Sequence, residues 1–148
     1  MAVPDMAKKL KQIHPYSVMI YKVGSFYQTY GKDAYIISGM FDYVLKPSGN
    51  SVSCGFGENA INKVKNKLED EKVNYLLLDP RNNYDVDEQS DNNNLNCYEN
   101  ILKKCYTKIK YQKEISHINE RLEMLIENNN FKTIIRKIED VLDENWKI

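Results

Sequence analysis

A seven-residue apolar run from Ser17 to Val23 ends at a glycine, and this junction constrains the fold more than any other feature of the chain. The run has the composition of a β-strand, and Gly24 permits a turn that a residue with a Cβ would resist. Phe26 follows, and a ring at such a position either packs into a core or stays exposed beside the turn. The motif therefore predicts a strand, a tight turn and an aromatic side chain whose exposure decides its role.

Strand and helix patterns alternate along residues 1–80. Apolar runs bounded by turn residues indicate strands, and apolar residues three and four apart indicate helices. The expected elements are a helix over 5–12, a strand over 17–23, a turn over 24–29, a helix from 31, two strands around a turn at 46–50, a helix over 58–71 and a buried strand over 73–78. This order predicts an α/β domain, with a mixed β-sheet flanked by helices, that ends near Pro80.

The pattern changes in the second half of the chain. Residues 81–94 are polar and acidic, which predicts a linker. Apolar residues at helical spacing from Leu95 to Leu125 predict one long amphipathic helix, and three asparagines at 128–130 end it before a second stripe from Phe131 to Trp146. We expect residues 95–148 to form a C-terminal helical hairpin that packs on the α/β domain, forms a homodimer or recruits a partner.

Charge and cysteine content set the class of protein. The formal net charge is zero, with +2 over residues 1–80 and −2 over 81–148, so any nucleic-acid surface should lie on the first half and be modest. The three cysteines form no C-x-x-C pair and leave an odd count, which argues against a disulfide framework. With no signal-peptide pattern and no long apolar run, the sequence predicts a cytoplasmic protein that does not enter a membrane.

The chain lacks the usual sequence signs of catalysis. It has no phosphate-binding G-x-x-x-x-G-K-[ST] loop, so we expect no nucleotide site and no ATPase activity. His14 and His117 are far apart in sequence and neither lies in a metal-ligand cluster with the cysteines. The serines have no partner spacing that suggests a nucleophile. The sequence therefore predicts a protein that is not an enzyme and has no metal or other cofactor.

Two blocks of the chain share a pattern with a known family. The first consists of Ile13-His14-Pro15, then Val23-Gly24-Ser25-Phe26-Tyr27-Gln28, then Tyr30-Gly31-Lys32-Asp33-Ala34. The second is Val52-Ser53-Cys54-Gly55-Phe56, followed by a helix and the strand over 73–78. Together they cover roughly the first half of the chain and resemble the N-terminal mismatch-recognition domain, domain I, of the MutS DNA mismatch repair family.

This resemblance implies that the chain binds double-stranded DNA that carries a mismatch, a loop or another distortion. The ring of Phe26 would enter the minor groove, stack on a weakly stacked base and kink the duplex, and a mismatch costs less to unstack than a paired base. Lysines near this wedge would contact phosphates. The residues expected to form the DNA-binding site are Gly24, Phe26, Gln28, Lys22, Lys32 and Lys46.

The sequence departs from the family pattern at three positions. Gln28 stands where the family has a glutamate that contacts the disturbed base, Ser25 stands where it usually has aspartate, and Phe56 stands where it usually has proline. A glutamine amide can donate a hydrogen bond to a base without a protonation step. We therefore expect binding that depends less on pH and discriminates less between mismatched and perfect duplex.

Two functions of different classes remain compatible with the sequence. In the first, the chain is a DNA-binding module without its own ATPase. In the second, the fold is only a scaffold, and the chain is a non-catalytic adaptor whose interface is the helical tail. Exposure of the Phe26 ring favours the first function, and burial of the ring in the core favours the second.

Overall fold

The computed structural model describes residues 2–90 and 96–146, except for the side chain of Asn96. The chain divides into two compact units, residues 1–109 and residues 110–148. Residues 91–94 of the predicted linker, Leu95 and the last two residues of the predicted hairpin lie outside the described residues.

The first unit is built on one six-stranded mixed sheet with the strand order β3-β4-β2-β1-β5-β6. Its strands are β1 (Ser17–Val23), β2 (Phe26–Tyr30), β3 (Lys46–Ser48), β4 (Ser51–Gly57), β5 (Asn74–Asp79) and β6 (Asp85–Gln89). Its helices are α1 (Asp5–Ile13), α2 (Lys32–Phe41), α3 (Ile61–Asp70) and the first part of α4 (Asn96–Glu123). The predicted fold class, a mixed sheet flanked by helices, is confirmed.

The sheet is buried on both faces at its centre, where β1 and β5 pair in parallel. Side chains of β1 alternate between two apolar clusters: Val18 and Ile20 belong to the larger one, and Met19 and Tyr21 to the smaller one that includes Ala7 of α1. A strand buried on both faces needs a continuous apolar run rather than alternation. This requirement explains why the sequences of β1 and β5 are apolar along most of their length.

The prediction of a turn over residues 24–29 is wrong. Val23 pairs directly with Phe26, so Gly24 and Ser25 alone form the loop of a β-hairpin, and Phe26 to Tyr30 form β2. A two-residue loop with glycine in its first position and φ of +63° at that glycine is a common hairpin connection. Phe26 is thus the first residue of a strand and not part of a turn that enters a helix.

Part of the expected linker is a strand. Residues 85–89 form β6, which pairs antiparallel with β5 at the edge of the sheet. All five side chains are exposed, so the strand is held by main-chain hydrogen bonds and has no apolar alternation that could reveal it. Lys65 of α3 also pairs with Glu88 at 2.7 Å. Polar composition alone therefore did not distinguish an exposed edge strand from a linker.

The beginning of α4 completes the core of the first unit. Tyr98 and Leu102 are buried members of the larger apolar cluster, and Cys105 is buried against α2. A Cβ at Gly39 would come within 2.5 Å of the Cys105 Cβ, so glycine is required for α4 to approach this closely. The first compact unit accordingly extends to Ile109, whereas the sequence placed its end near Pro80.

A buried polar network joins four elements of this unit. Lys11 of α1 donates to the Asp33 carboxylate of α2 at 2.7 Å, and the Tyr98 hydroxyl of α4 donates to the same oxygen at 2.6 Å. The Met19 amide of β1 donates to the other carboxylate oxygen at 3.2 Å. Burial raises the pKa of Asp33, and the Lys11 charge opposes that shift. The network therefore fixes α1, α2 and α4 to the centre of the sheet.

The second unit is helical. It contains the rest of α4 and α5 (Phe131–Asn145), joined by a segment that includes the three consecutive asparagines. The predicted long helix, its break and the second helix are thus present. Among residues 110–146 none is buried, and the apolar stripes of both helices are partly or fully exposed. No helix in the described part of the chain is long and apolar enough to cross a bilayer.

Candidate nucleic-acid interface

The β1–β2 hairpin holds the candidate site at its tip. Gly24 adopts a left-handed conformation that glycine tolerates without strain. The carbonyl of Ser25 accepts a hydrogen bond from the Glu58 amide at 3.0 Å, which ties the loop to the residue that follows β4. Both neighbours of the loop are paired residues of the sheet. The backbone of the tip is therefore held in place by the sheet and by one hydrogen bond beyond it.

Phe26 lies at this tip with 60% of its surface exposed. Its cross-strand partner on β1, Val23, is exposed as well, so the two side chains form an apolar pair in contact with solvent. On the other side Phe26 pairs with Gly57 of β4, where a Cβ would meet no atom within 4 Å. The ring thus projects beside open space instead of packing into either apolar cluster.

Gln28 lies on the same face of the sheet as Phe26, because the two residues are two positions apart in β2. Its strand partner is Gly55, and a Cβ there would come within 2.7 Å of Gln28 Oε1. That oxygen is buried and has no hydrogen-bond partner within the described part of the chain. An unsatisfied buried acceptor costs roughly 1–3 kcal/mol. Gly55 therefore makes room for a glutamine whose hydrogen-bonding capacity is not used by the protein.

A groove of about 630 Å³ runs beside these residues. Phe26 and Gln28 line it together with Lys46 of β3 and Asp42, which follows α2. The Asp42 carboxylate pairs with Lys108 of α4 at 3.1 Å, so a second cation lies next to the groove. Aromatic rings complete the lining. Tyr27 stacks on Phe56 with 5.6 Å between their ring centroids, and Phe56 stacks on Tyr43 with 6.0 Å between theirs.

The other two predicted lysines do not line this groove. Lys22 lies across the hairpin from Tyr27, on the opposite face of the sheet from Phe26, and it does not border the groove although Tyr27 does. Lys32 lies at the start of α2 and lines a different cavity of about 380 Å³, next to Lys11 and Asp33. The structure therefore brings Phe26, Gln28 and Lys46 together at the groove, leaves Gly24 in the hairpin loop two residues before Phe26, and separates Lys22 and Lys32 from the groove.

Three residues of the site were not identified from the sequence. Val23 was assigned to the end of the strand over 17–23, and recognition of Gly24-Ser25 as a two-residue hairpin loop would have placed it opposite Phe26. Gly55 needs the register of β2 and β4 before its position against Gln28 is evident. Lys108 lies within the predicted long helix but outside its apolar stripe, and no local signal in the sequence connects it with Asp42.

The described residues offer little reactive chemistry near the groove. They contain no group of three or more His, Cys, Asp or Glu side chains arranged to hold a metal ion. Burial raises the pKa of the Cys54 thiol to about 11, against the opposing effect of the Lys46 charge. Cys54 is therefore a protonated core residue at neutral pH.

The fold and the hairpin site define a mixed α/β recognition domain with an exposed aromatic residue at its tip. Residues 5–75 match the family model of MutS domain I, and this part of the chain is a MutS domain I. The match begins at α1 and ends within β5, so it contains the whole hairpin and the groove beside it. The MutS domain I family is a DNA-binding family associated with mismatch recognition. No curated protein matches the chain.

Proposed function

We propose that this protein binds mismatched or otherwise distorted duplex DNA through the β1–β2 hairpin, without catalysis and without an ATPase of its own. The exposed ring of Phe26 beside the open space at Gly57 carries this proposal. The family match supports DNA recognition by this part of the chain. In this mechanism the ring stacks on a base and kinks the duplex toward the major groove. Sites that are already weakly stacked bind best, because less energy is needed to open them.

Gln28 would act beside the ring on the same face of the sheet. Its amide can offer both a donor and an acceptor to a displaced base. The Oε1 is buried and has no partner in the described part of the protein, so a rotation of the side chain toward DNA would break no protein hydrogen bond at this oxygen and would let it bond to a base. Gln28 therefore contributes recognition without the negative charge that a carboxylate would bring near phosphates.

Phosphate contacts would be few. Lys46 lines the groove and is the best-placed cation, with Lys108 beside it through its pair with Asp42. Lys22 and Lys32 would reach only backbone that extends past the groove. A small number of phosphate contacts predicts a weak dependence of affinity on salt concentration.

Fluorescence anisotropy with four DNA ligands tests the proposal directly. Perfect duplex, mismatched duplex, looped duplex and single strand should be compared at two salt concentrations. We expect the mismatched and looped duplexes to bind most tightly, with a loss of affinity at higher salt that is small for a DNA-binding protein. Equal absence of binding to all four would contradict the proposal and support an adaptor function that uses the helical tail.

Replacement of Gln28 by glutamate should introduce a pH dependence that the parent protein lacks. A carboxylate oxygen buried at this position would have a raised pKa because of desolvation. At neutral pH its charge should weaken binding to perfect duplex about tenfold, and to mismatched duplex less, because a charge near phosphate is worth roughly 1 kcal/mol or more. Protonation removes that charge, so affinity should rise as pH falls through the raised pKa.

Anisotropy titrations over about pH 5.5–8 measure this effect, since the range covers a glutamate with a raised pKa. A Gln28→Met variant is the control, because it keeps the side-chain length without a titrating group. If the glutamate variant shows the same affinities as the parent at every pH, Gln28 does not lie close to DNA.

The exposed stripes of the second unit support a homodimer through the part of the predicted 95–148 hairpin that lies in this unit, since Tyr98 to Ile109 are used in the core of the first unit. Two copies would bring two β1–β2 hairpins within reach of one duplex, and the resulting avidity would raise a weak individual affinity.

We also place the protein in the cytoplasm, since Cys54, Cys97 and Cys105 are all free thiols, as expected in a reducing compartment.

A further inference from the structure

The surface of α5 combines an exposed apolar stripe with segregated charge. Its apolar residues lie three and four positions apart and none is buried; Val141 and Leu142 are 59% and 55% exposed. Such a stripe is normally covered by another element. The members of the stripe are Phe131, Ile134, Ile135, Ile138, Val141 and Leu142.

Every basic residue of α5 precedes Ile138, and every acidic residue follows it. The basic residues are Lys132, Arg136 and Lys137, and the acidic residues are Glu139, Asp140, Asp143 and Glu144. An isolated helix is more stable with the reverse arrangement, acids near its first turn and bases near its last. None of the ion pairs within residues 2–90 and 96–146 involves these charges. This order of charges therefore does not stabilise α5 as a single helix.

We propose that α5 pairs in antiparallel orientation with α5 of a second copy of this chain, with Ile138 at the two-fold axis. This inference rests on the dimer proposed above and specifies its geometry. An antiparallel pair sets the basic half of each helix beside the acidic half of the other. A parallel pair would set like charges side by side.

The positions of the charges match this axis residue by residue. Seen along the helix, Lys132, Arg136, Glu139 and Asp143 lie on one side of the apolar stripe, and Lys137, Asp140 and Glu144 lie on the other. The two-fold axis keeps each side together. Lys132 of one copy is therefore within one residue of the level of Asp143 of the other, and the same holds for Arg136 with Glu139 and for Lys137 with Asp140. The apolar residues follow the same symmetry, with Ile134 level with Leu142 and Ile135 level with Val141. The helix is thus complementary to its own reverse.

The second unit offers no equally segregated partner for α5 within one chain. Residues 110–123 of α4 carry three basic and three acidic side chains that are interspersed along the helix. Ile115 and Ile118 of the same segment are exposed. Two helices of about 22 Å bury less area than a stable dimer requires. These α4 residues would therefore enlarge the interface to a four-helix arrangement.

Complementary charge reversal on the full chain tests the pairing. One variant carries Lys132→Glu, Arg136→Glu and Lys137→Glu, and the other carries Glu139→Lys, Asp140→Lys and Asp143→Lys. We expect each variant alone to self-associate at least about tenfold more weakly than the parent, because like charges then face each other. Mixing the two should restore a dimer that contains one copy of each.

Analytical ultracentrifugation with one variant fluorescently labelled measures both effects, and circular dichroism checks that helix content is kept. A variant with Lys103→Glu and Lys104→Glu in α4 is the matched control and should associate like the parent. A monomeric parent, or two dimeric variants that do not exchange, would overturn the pairing. The measurement contains no DNA, so its outcome is independent of whether the hairpin binds DNA.

Discussion

Replacement of Asp33 by alanine is expected to lower the free energy of unfolding by roughly 3 kcal/mol. The carboxylate is buried and accepts hydrogen bonds from Lys11, Tyr98 and the Met19 amide. Its removal leaves the Lys11 ammonium without its counter-charge and Tyr98 without its acceptor. The Lys11 side chain keeps 27% of its surface exposed, so it can still reach water. We therefore expect a loss of stability at the lower end of the range that is typical when one partner of a buried ion pair is removed.

Denaturant unfolding followed by circular dichroism measures this loss. The matched control is Glu88→Ala, which removes an ion pair with Lys65 of the same 2.7 Å length. Glu88 is 47% exposed, and such surface pairs are worth about 0–1 kcal/mol. Equal small losses in the two variants would mean that the Asp33 network does not hold the helices to the sheet.

Replacement of Phe26 by alanine is expected to lower affinity for mismatched or looped DNA by on the order of 1–3 kcal/mol, the worth of a stack between a base and an aromatic ring. This corresponds to a loss of roughly 5-fold to 150-fold. Bending of the duplex, measured by energy transfer between its ends, should disappear as well. Stability should change little, because the ring is mostly exposed and makes no part of either apolar cluster.

Two further variants separate stacking from general apolar contact. Phe26→Leu keeps an apolar side chain but cannot stack, so it should recover little of the lost affinity. Val86→Ala removes an exposed apolar side chain from β6, at the far side of the sheet, and should bind like the parent. If the alanine variant at position 26 binds and bends DNA normally, the ring is not the contact.

The parts of the fold that the sequence predicted are those fixed by burial. β1 and β5 are apolar because both faces of the sheet are covered, and the stripe in the first part of α4 follows from its contact with the core. β6 was missed because its side chains are all exposed and its pairing depends on main-chain hydrogen bonds. The role of Tyr98 was missed because a periodic stripe shows that a face is covered but not by what.

The candidate site was predicted unevenly for a similar reason. The positions of Gly24 and Phe26 follow from local chemistry and from the family pattern. The separation of Lys22 from Phe26 depends on which face of the hairpin each residue occupies, and that required the two-residue loop. The contact of Gln28 with Gly55 depends on the register of two strands that are distant in sequence.

The open space beside Phe26 has a consequence for the entropy of binding. With glycine as its strand partner and no packing against a core, the free ring can change rotamer on a picosecond to nanosecond timescale. Stacking on a base would freeze that motion, which costs roughly 0.5–1.5 kcal/mol for one side chain. This loss is the same for every duplex, so it lowers affinity throughout and leaves net binding only where the bases open easily. Mobility of the unbound ring would thus set the threshold above which a distortion is recognised.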